Sequence, residues 1–170
     1  EKIAELRRLL PPGLAKRLYD NVWTDPDGES TFVTLSEAKG CEDPLLHRVD
    51  RGRPGVRYVA SIDYAPVRDR TVMCVGHDDP ENNRVVLDSM EILQGSQARR
   101  VPIQAVEAWV DRVVRDFNKP LLVIDPYQME SVIQRYSGTT EVEPFEARGG
   151  KSNYELATCL RGLVVNGQLG

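Results

Sequence analysis

Three strand-like segments in succession, joined by short turns, constrain the fold of this chain more than any other feature. They cover residues 56–65, 69–78 and 84–93, and each is rich in apolar residues. The second connection, Asp-Pro-Glu-Asn-Asn at 79–83, consists almost entirely of residues that favour turns. Two hairpins in succession predict an antiparallel meander.

Helical and strand patterns alternate after this meander. Residues 102–118 carry an apolar stripe at helical spacing, and Pro102 suits the first helical position. Residues 120–125 form a continuous apolar run, which is typical of a parallel strand covered on both faces. The remaining patterns are a helix over 126–136, a strand over 139–147, and a helix from Ser152 to Gly162. The order β-β-β-α-β-α-β-α predicts an α/β protein of the ribonuclease H-like class, with a mixed five-stranded sheet flanked by helices.

Residues 1–55 lack this regular pattern. Short helical patterns lie on either side of Pro11-Pro12-Gly13, and residues 41–55 read as a loop punctuated by proline and glycine. We therefore predict two parts, an arm over residues 1–55 and a domain over residues 56–170. Because the first residue is Glu1 rather than methionine, we expect the chain to be part of a longer protein.

The composition is that of a globular protein, with 41% hydrophobic and 28% charged residues. No apolar stretch approaches the roughly 18 residues of a membrane span, so no membrane partner is expected. The three cysteines include no Cys-x-x-Cys pair, which argues against zinc and disulfides and favours a reducing, intracellular compartment. The net charge of −4 argues only weakly against nucleic-acid binding, because arginines cluster locally, at 48–57 and at 99–100.

Two of the predicted strands end in an aspartate, Asp63 in the first and Asp125 in the fourth. If these strands lie side by side, the two carboxylates meet at one edge of the sheet and repel each other unless a divalent cation lies between them. This is the beginning of a two-metal site for phosphodiester cleavage, with ions about 3.5–4 Å apart. Structural roles compete: Asp125-Pro126-Tyr127-Gln128 is also a good helix start, and Asp63 fits a turn.

Other acidic residues are weaker candidates. Asp69 follows Asp63 by six residues, and a hairpin can return it close to the first carboxylate, although a turn aspartate explains it equally well. The triplet His77-Asp78-Asp79 resembles a set of metal ligands but lies where a turn is predicted. Asp88 and Glu91, in the third strand, are expected to face solvent.

The segment Arg148-Gly-Gly-Lys151-Ser152 imitates the end of a phosphate-binding P-loop. The full pattern requires a glycine six residues before Lys151, and that position is Phe145, so ATP binding is rejected. Arg148 and Lys151 in a glycine loop at a helix start can still hold a DNA phosphate. The alternative is a flexible connection.

The chain resembles the nuclease domain of the large terminase subunit of tailed bacteriophages. The likeness is carried by LPPGLAKRLYDNVW, YVASIDYAPVRDRTVMCVG, LLVIDPYQM and RGGKSNYELATCLRGLVVNGQL, and it covers nearly the whole chain. It implies that residues 1–55 link the domain to an upstream ATPase domain. It also implies that Asp63, Asp125 and Asp69 are metal ligands; a third acidic ligand nearer the C-terminus, usual in this family, has no evident match before Gly170.

The resemblance implies a metal-dependent endonuclease that cuts concatemeric viral DNA during genome packaging. Its expected partners are double-stranded DNA, the portal protein and the small terminase subunit, at the procapsid portal in the host cell cytoplasm. Oxygen ligands without histidine favour two Mg²⁺ or Mn²⁺ ions. Two alternatives stay open: another ribonuclease H-like nuclease of the resolvase or transposase type, and a noncatalytic DNA-binding or docking module of the same fold.

Overall fold

A computed structural model describes residues 32–145 and 150–170, without the side chains of residue 128 and residues 150–154. The elements in chain order are α1 Leu35–Gly40, β1 Tyr58–Asp63, β2 Arg70–Asp79, β3 Arg84–Gln94, α2 Ile103–Asp116, β4 Leu121–Ile124, α3 Pro126–Tyr136, β5 Val142–Pro144 and α4 Gly150–Val165.

The five strands form one mixed sheet in the order β3-β2-β1-β4-β5. The pairs β1–β2 and β2–β3 are antiparallel, as the predicted meander requires. The pairs β1–β4 and β4–β5 are parallel, and α2 is the crossover that brings β4 beside β1. The predicted ribonuclease H-like arrangement, a mixed five-stranded sheet with flanking helices, is therefore confirmed.

The main core lies between one face of this sheet and helices α2 and α3. Alternate residues of β1 are buried because successive side chains of a strand point to opposite faces. The buried set on this side comprises Tyr58, Ala60, Ile62, Met73, Val75, Val106, Trp109, Val110, Val113, Val114, Phe117, Leu122, Ile124, Met129, Val132 and Tyr136. The acidic ends of β1 and β4 thus rest on strands that are fixed by a well-packed core.

Helix boundaries differ from the sequence expectation at three places. Pro102 is the N-cap of α2 rather than its first residue, because its ψ of 141° is extended. Helix α4 begins at Gly150 rather than Ser152. It also continues through Gly162 to Val165, and the left-handed conformation that ends it is found at Gly167, with φ of 64°.

Helix α1 is not part of the sequence prediction. A capping box starts it: the Thr34 hydroxyl accepts from the Glu37 N–H, and the Glu37 carboxylate accepts from the Thr34 N–H. The signature Thr-Leu-Ser-Glu at 34–37 is the signal that could have identified it. After α1, the chain runs to β1 through a loop that is tied to the domain, since Val49 donates to the Asp88 carbonyl and Gly52 to the Asp116 carbonyl.

The helical patterns predicted within residues 1–31 lie outside the described residues. In the part of the chain that the structure describes, no helix has the length and apolar character needed to cross a membrane.

Candidate active site

The two strand-end aspartates lie next to each other at one edge of the sheet. Ile62 of β1 and Ile124 of β4 are register partners in the parallel ladder, so Asp63 and Asp125 are the next residues on adjacent strands, about 4.8 Å apart in the hydrogen-bonding direction. Because both isoleucines point into the core, the aspartates project to the other face. Both line one cleft of about 340 Å³.

The rest of the cleft is mostly apolar. Its other lining residues are Ser61, Ile62, Val72, Cys74, Val123, Phe145 and Leu156. Among the described residues, the lining includes no lysine, arginine or histidine. The two carboxylates therefore share a small cleft in which no described basic side chain balances their charge, which is the electrostatic setting of a cation site.

Asp125 also caps helix α3, as one reading of its sequence predicted. Its Oδ1 accepts a hydrogen bond of 3.0 Å from the Tyr127 N–H, and its own backbone is extended, with φ of −68° and ψ of 118°. Pro126 occupies the first helical position, where a missing N–H costs nothing. The cap uses one acceptor position of one oxygen, and an ionised carboxylate offers about four such positions. Capping and metal binding are therefore compatible.

Asp63 is an exposed residue at the last position of β1. Its carboxylate forms no hydrogen bond or ion pair with any described residue. The turn that follows is fixed by Thr71, a fully buried residue whose hydroxyl donates to the Ala65 carbonyl at 3.0 Å and accepts from the Ala65 N–H at 3.1 Å. The backbone on both sides of Asp63 is thus held in place, and its side chain lines the cleft without a hydrogen-bond partner among the described residues.

Asp69 lies in the β1–β2 turn and is exposed. Asp63 pairs with Val72 of β2, and Asp69 lies three residues before Val72, just outside the start of β2. Asp69 is not among the residues that line the cleft. Within residues 32–145 and 150–170, no group of three or more histidine, cysteine, aspartate or glutamate side chains is placed to hold a metal ion. A ligand role for Asp69 stays a prediction.

Cys74 contributes a thiol to the cleft wall. Burial raises the pKa of this thiol above its usual value, so it is protonated at neutral pH. The cleft therefore carries its negative charge on the two aspartates and not on a thiolate, which keeps the donor set to hard oxygen atoms.

The predicted DNA contacts Arg148 and Lys151 cannot be placed. Arg148 lies outside the described residues, and only the backbone of Lys151, in the first turn of α4, is described. Their role stays a prediction.

The turn predicted around His77 and the solvent-facing position predicted for Asp88 are both wrong. His77 lies within β2 and Asp88 within β3, and both side chains are buried. The His77 Nδ1 is 2.6 Å from Asp88 Oδ2, and the Arg53 guanidinium is 2.7 Å from His77 Nε2. Because a guanidinium only donates, Nε2 accepts and Nδ1–H donates to the carboxylate.

Glu91, the other acidic residue of β3, forms ion pairs with Arg112 and Arg48 rather than standing free in solvent. His77 is the register partner of Tyr58, the first residue of β1. His77, Asp88 and Arg53 therefore lie at the end of the sheet opposite the acidic cleft. The signal that sequence reasoning missed is the alternation along β2, where Thr71, Met73, Val75 and His77 are the buried positions.

Comparisons with solved structures define the class of fold. The large terminase nuclease of thermophilic phage G20c with bound magnesium matches with a TM-score of 0.58 and 17% identity, over 72% of this chain and 61% of that one. The same nuclease with bound zinc matches with a TM-score of 0.59 and 17% identity, over 79% of both chains. The large terminase of bacteriophage HK97 matches with a TM-score of 0.64 and 14% identity, over 99% of this chain and 39% of that one.

These likenesses show that the chain has a ribonuclease H-like fold of the kind found in large terminase nucleases. The resemblance predicted from the sequence is thereby confirmed at the level of the fold. The chain spans less than two thirds of the magnesium-bound nuclease and well under half of the HK97 protein. No family model matches the sequence, and a search of curated proteins by sequence finds no match.

Proposed function

We propose that the chain is a metal-dependent endodeoxyribonuclease that cuts concatemeric viral DNA during genome packaging. The observation that carries this proposal is the meeting of Asp63 and Asp125 in one cleft that lacks a basic side chain among the described residues. The fold supports it, because structures of the same fold are terminase nucleases, one with bound magnesium and one with bound zinc.

The donor set of the cleft fits Mg²⁺ or Mn²⁺. Mg²⁺ is usually held by one or two carboxylates, with water and substrate phosphate oxygens completing its shell. Asp63 and Asp125 supply two carboxylates, and no histidine or thiolate lines the described cleft to favour a softer metal. We propose two ions, held by Asp63 and Asp125 with Asp69 as a further ligand.

The protein's own contribution to such a reaction is to position the two carboxylates and to shield them from bulk water. When bound, divalent ions in two-metal nucleases activate a water molecule and neutralise charge on the leaving 3′-oxygen. The parallel β1–β4 ladder fixes the two carboxylates side by side, and the helix cap holds Asp125 in one orientation. The apolar walls, formed by Val72, Val123 and Phe145 among others, lower the local dielectric and strengthen these interactions.

The wider assembly follows from the same proposal. We infer that double-stranded DNA is the substrate and that the portal protein and the small terminase subunit are partners, at the procapsid portal in the host cell cytoplasm. We also infer an upstream ATPase domain joined through residues 1–55. The alignment with 39% of the HK97 large terminase, which leaves most of that protein unmatched, is consistent with a multidomain arrangement.

The test is cleavage of plasmid DNA by the purified chain. We expect nicking or cutting with Mn²⁺ or Mg²⁺, little sequence preference, and no activity in excess EDTA. Asp63→Asn and Asp125→Asn should each reduce cleavage at least about 100-fold, since they remove the charge that holds the ions while conserving size. The matched control is Asp78→Asn, an exposed aspartate at the far end of β2, which should cut normally. Cleavage that survives EDTA or Asp63→Asn would refute the proposal.

A noncatalytic module is the second candidate, and two observations favour it. Asp125 already has a structural role as a cap, and the described residues contain no three-ligand group. This reading predicts DNA binding without cleavage under every metal condition, and normal binding by both asparagine variants.

A further inference from the structure

Two loops flank the acidic cleft at the carboxyl end of β1 and are fastened to each other. They are the β1–β2 connection, residues 64–69, and the β3–α2 connection, residues 95–102. The Val101 N–H donates to the Pro66 carbonyl at 2.9 Å, and the Tyr64 hydroxyl donates to the Val101 carbonyl at 2.9 Å. Gly95 permits this contact, since a Cβ at that position would collide with the Pro66 carbonyl. The two loops therefore act as one rigid rim.

Three exposed arginines of this rim, together with the exposed first residue of β2 beside it, form a set that we call the arginine edge: Arg68, Arg70, Arg99 and Arg100. Most other described arginines pair with carboxylates; Arg84 pairs with Asp43, and Arg112 with Glu91. No member of the arginine edge forms an ion pair with any described residue. Four exposed guanidinium groups without an acidic partner among the described residues therefore lie in and beside this rim, with Asp69 as the one acidic side chain of the β1–β2 turn.

Arg70 links the arginine edge to the cleft. Thr71 is buried on the core side of the sheet, so Arg70 and Val72 lie on the opposite face, the face of Asp63. Val72 is directly across from Asp63, and Arg70 is two residues, or about 7 Å, further along. Gln94 orders this turn, because its side chain accepts from Arg70 Nε and donates to the Arg68 carbonyl, both at 3.3 Å.

The charge distribution makes this rim complementary to a polyanion. Without bound metal, the two carboxylates of the cleft repel a phosphate group, and among the described residues no basic side chain lines the cleft to offset this repulsion. Guanidinium groups bind phosphate oxygens in a bidentate fork and keep their charge at all relevant pH values.

We propose that the arginine edge binds the phosphate backbone of duplex DNA on the side of the cleft next to β2. This inference rests on the proposed nuclease function, which makes duplex DNA the ligand. It adds the surface that binds the DNA. The contacts are to phosphates and not to base edges, so binding is independent of sequence and strongly dependent on salt.

The experiment measures duplex binding by fluorescence anisotropy in EDTA, where no cleavage is expected, at several salt concentrations. The test variant replaces all four arginines of the arginine edge by glutamine. We expect at least a tenfold loss of affinity at low salt and a log Kd against log salt slope flattened by up to about 3.6, at about 0.9 per phosphate contact. A fourfold Arg→Lys variant should retain most of the slope, because the charge is conserved.

The matched control changes the net charge equally at the opposite end of the sheet. It replaces Arg51, Arg57, Arg115 and Arg135, each ion-paired in the structure, by glutamine. Its slope should change by less than about 1. Thermal unfolding checks that each variant is folded, and Arg99→Gln/Arg100→Gln, with about half the effect, serves as the test if the fourfold variant is not.

Two outcomes separate this inference from the proposed function. An unchanged slope in the folded test variant, or an equal change in the control, overturns the arginine edge even if the chain cleaves DNA with Mn²⁺. A flattened slope confined to the test variant supports it even if no cleavage is found under any metal condition.

Discussion

Asp125 shows how one side chain can serve the fold and the candidate site together. One carboxylate oxygen accepts from the Tyr127 N–H at the start of α3, and the same residue lines the cleft with Asp63. A loss of cleavage in an Asp125 variant can therefore have two causes, a lost charge or a displaced helix start. Residues that cap equally well but differ in charge separate these causes.

We predict that Asp125→Asn abolishes cleavage with almost no loss of stability, because asparagine caps a helix as well as aspartate. Asp125→Ala should abolish cleavage and also lower the free energy of unfolding by about 1 kcal/mol. Urea denaturation and plasmid nicking on both variants provide the measurements. Normal cleavage by Asp125→Asn would show that capping is the only role of this residue.

At the scale of elements, helices α2 and α3 are joined by a buried tyrosine. The Tyr136 hydroxyl donates to Asp111 Oδ1 at 2.6 Å and lies 3.3 Å from the Glu107 carbonyl. Burial, and then the hydrogen bond to Asp111, raise the pKa of Tyr136 well above its usual range. The folded chain thus keeps the phenol proton at pH values where the unfolded chain releases it.

This shift predicts an alkaline loss of stability. Because the folded-state pKa is raised, the stabilisation is complete below the unfolded pKa of about 10 and falls as pH rises above it, by up to about 1.4 kcal/mol per pH unit. We expect the free energy of unfolding to fall more steeply between about pH 10 and 11 in the wild type than in Tyr136→Phe. Tyr127→Phe, at an exposed tyrosine of the same helix, is the control and should follow the wild type.

The same scale shows which elements could be predicted from sequence. The strand β4 and the carboxyl ends of β1 and β4 were predictable. In each case an apolar run is followed by an aspartate, and few structures other than a buried strand that ends there fit this pattern. The end of α4 was not, since Gly162 has helical neighbours on both sides and the left-handed position is Gly167. The position of His77 was predicted wrongly because local turn composition outweighed its alternation with Met73 and Val75. Hydrogen bonds to Asp88 and Arg53 make its burial favourable, and neither partner is close to it in the sequence.

For the whole molecule, the pairing of β1 with β4 was predictable but the position of Asp69 relative to the cleft was not. The topology brings Asp63 and Asp125 together whatever the details of the turns. The position of Asp69 depends on the path of the β1–β2 turn, which Thr71 fixes through Ala65 of the same turn and Val101 fixes from the β3–α2 connection through the Pro66 carbonyl. The second contact is tertiary and leaves no local pattern in the sequence.

The acidic pair also predicts how metal changes the stability of the whole chain. Without metal, two adjacent carboxylates repel, so Asp63→Asn should be at least as stable as the wild type in EDTA. With Mn²⁺ at about 100 times its Kd, the wild type should gain about 2.7 kcal/mol, whereas Asp63→Asn should gain little. Thermal unfolding with and without Mn²⁺ measures both. Equal stabilisation of the two proteins would place the bound ion elsewhere.

The parallel β1–β4 ladder has a consequence for the order in which the chain folds. The strands β1, β2 and β3 are joined by short turns, so they can pair soon after they are made. Ile62 and Ile124 pair across about 60 residues, and such non-local closures are slow because loop entropy must be lost first. During synthesis, Asp63 can therefore lie on a formed β1–β2 hairpin before β4 and Asp125 have been made. A chain synthesised only as far as β3 therefore has no acidic pair, and the candidate site forms only after β4 and Asp125 have been made.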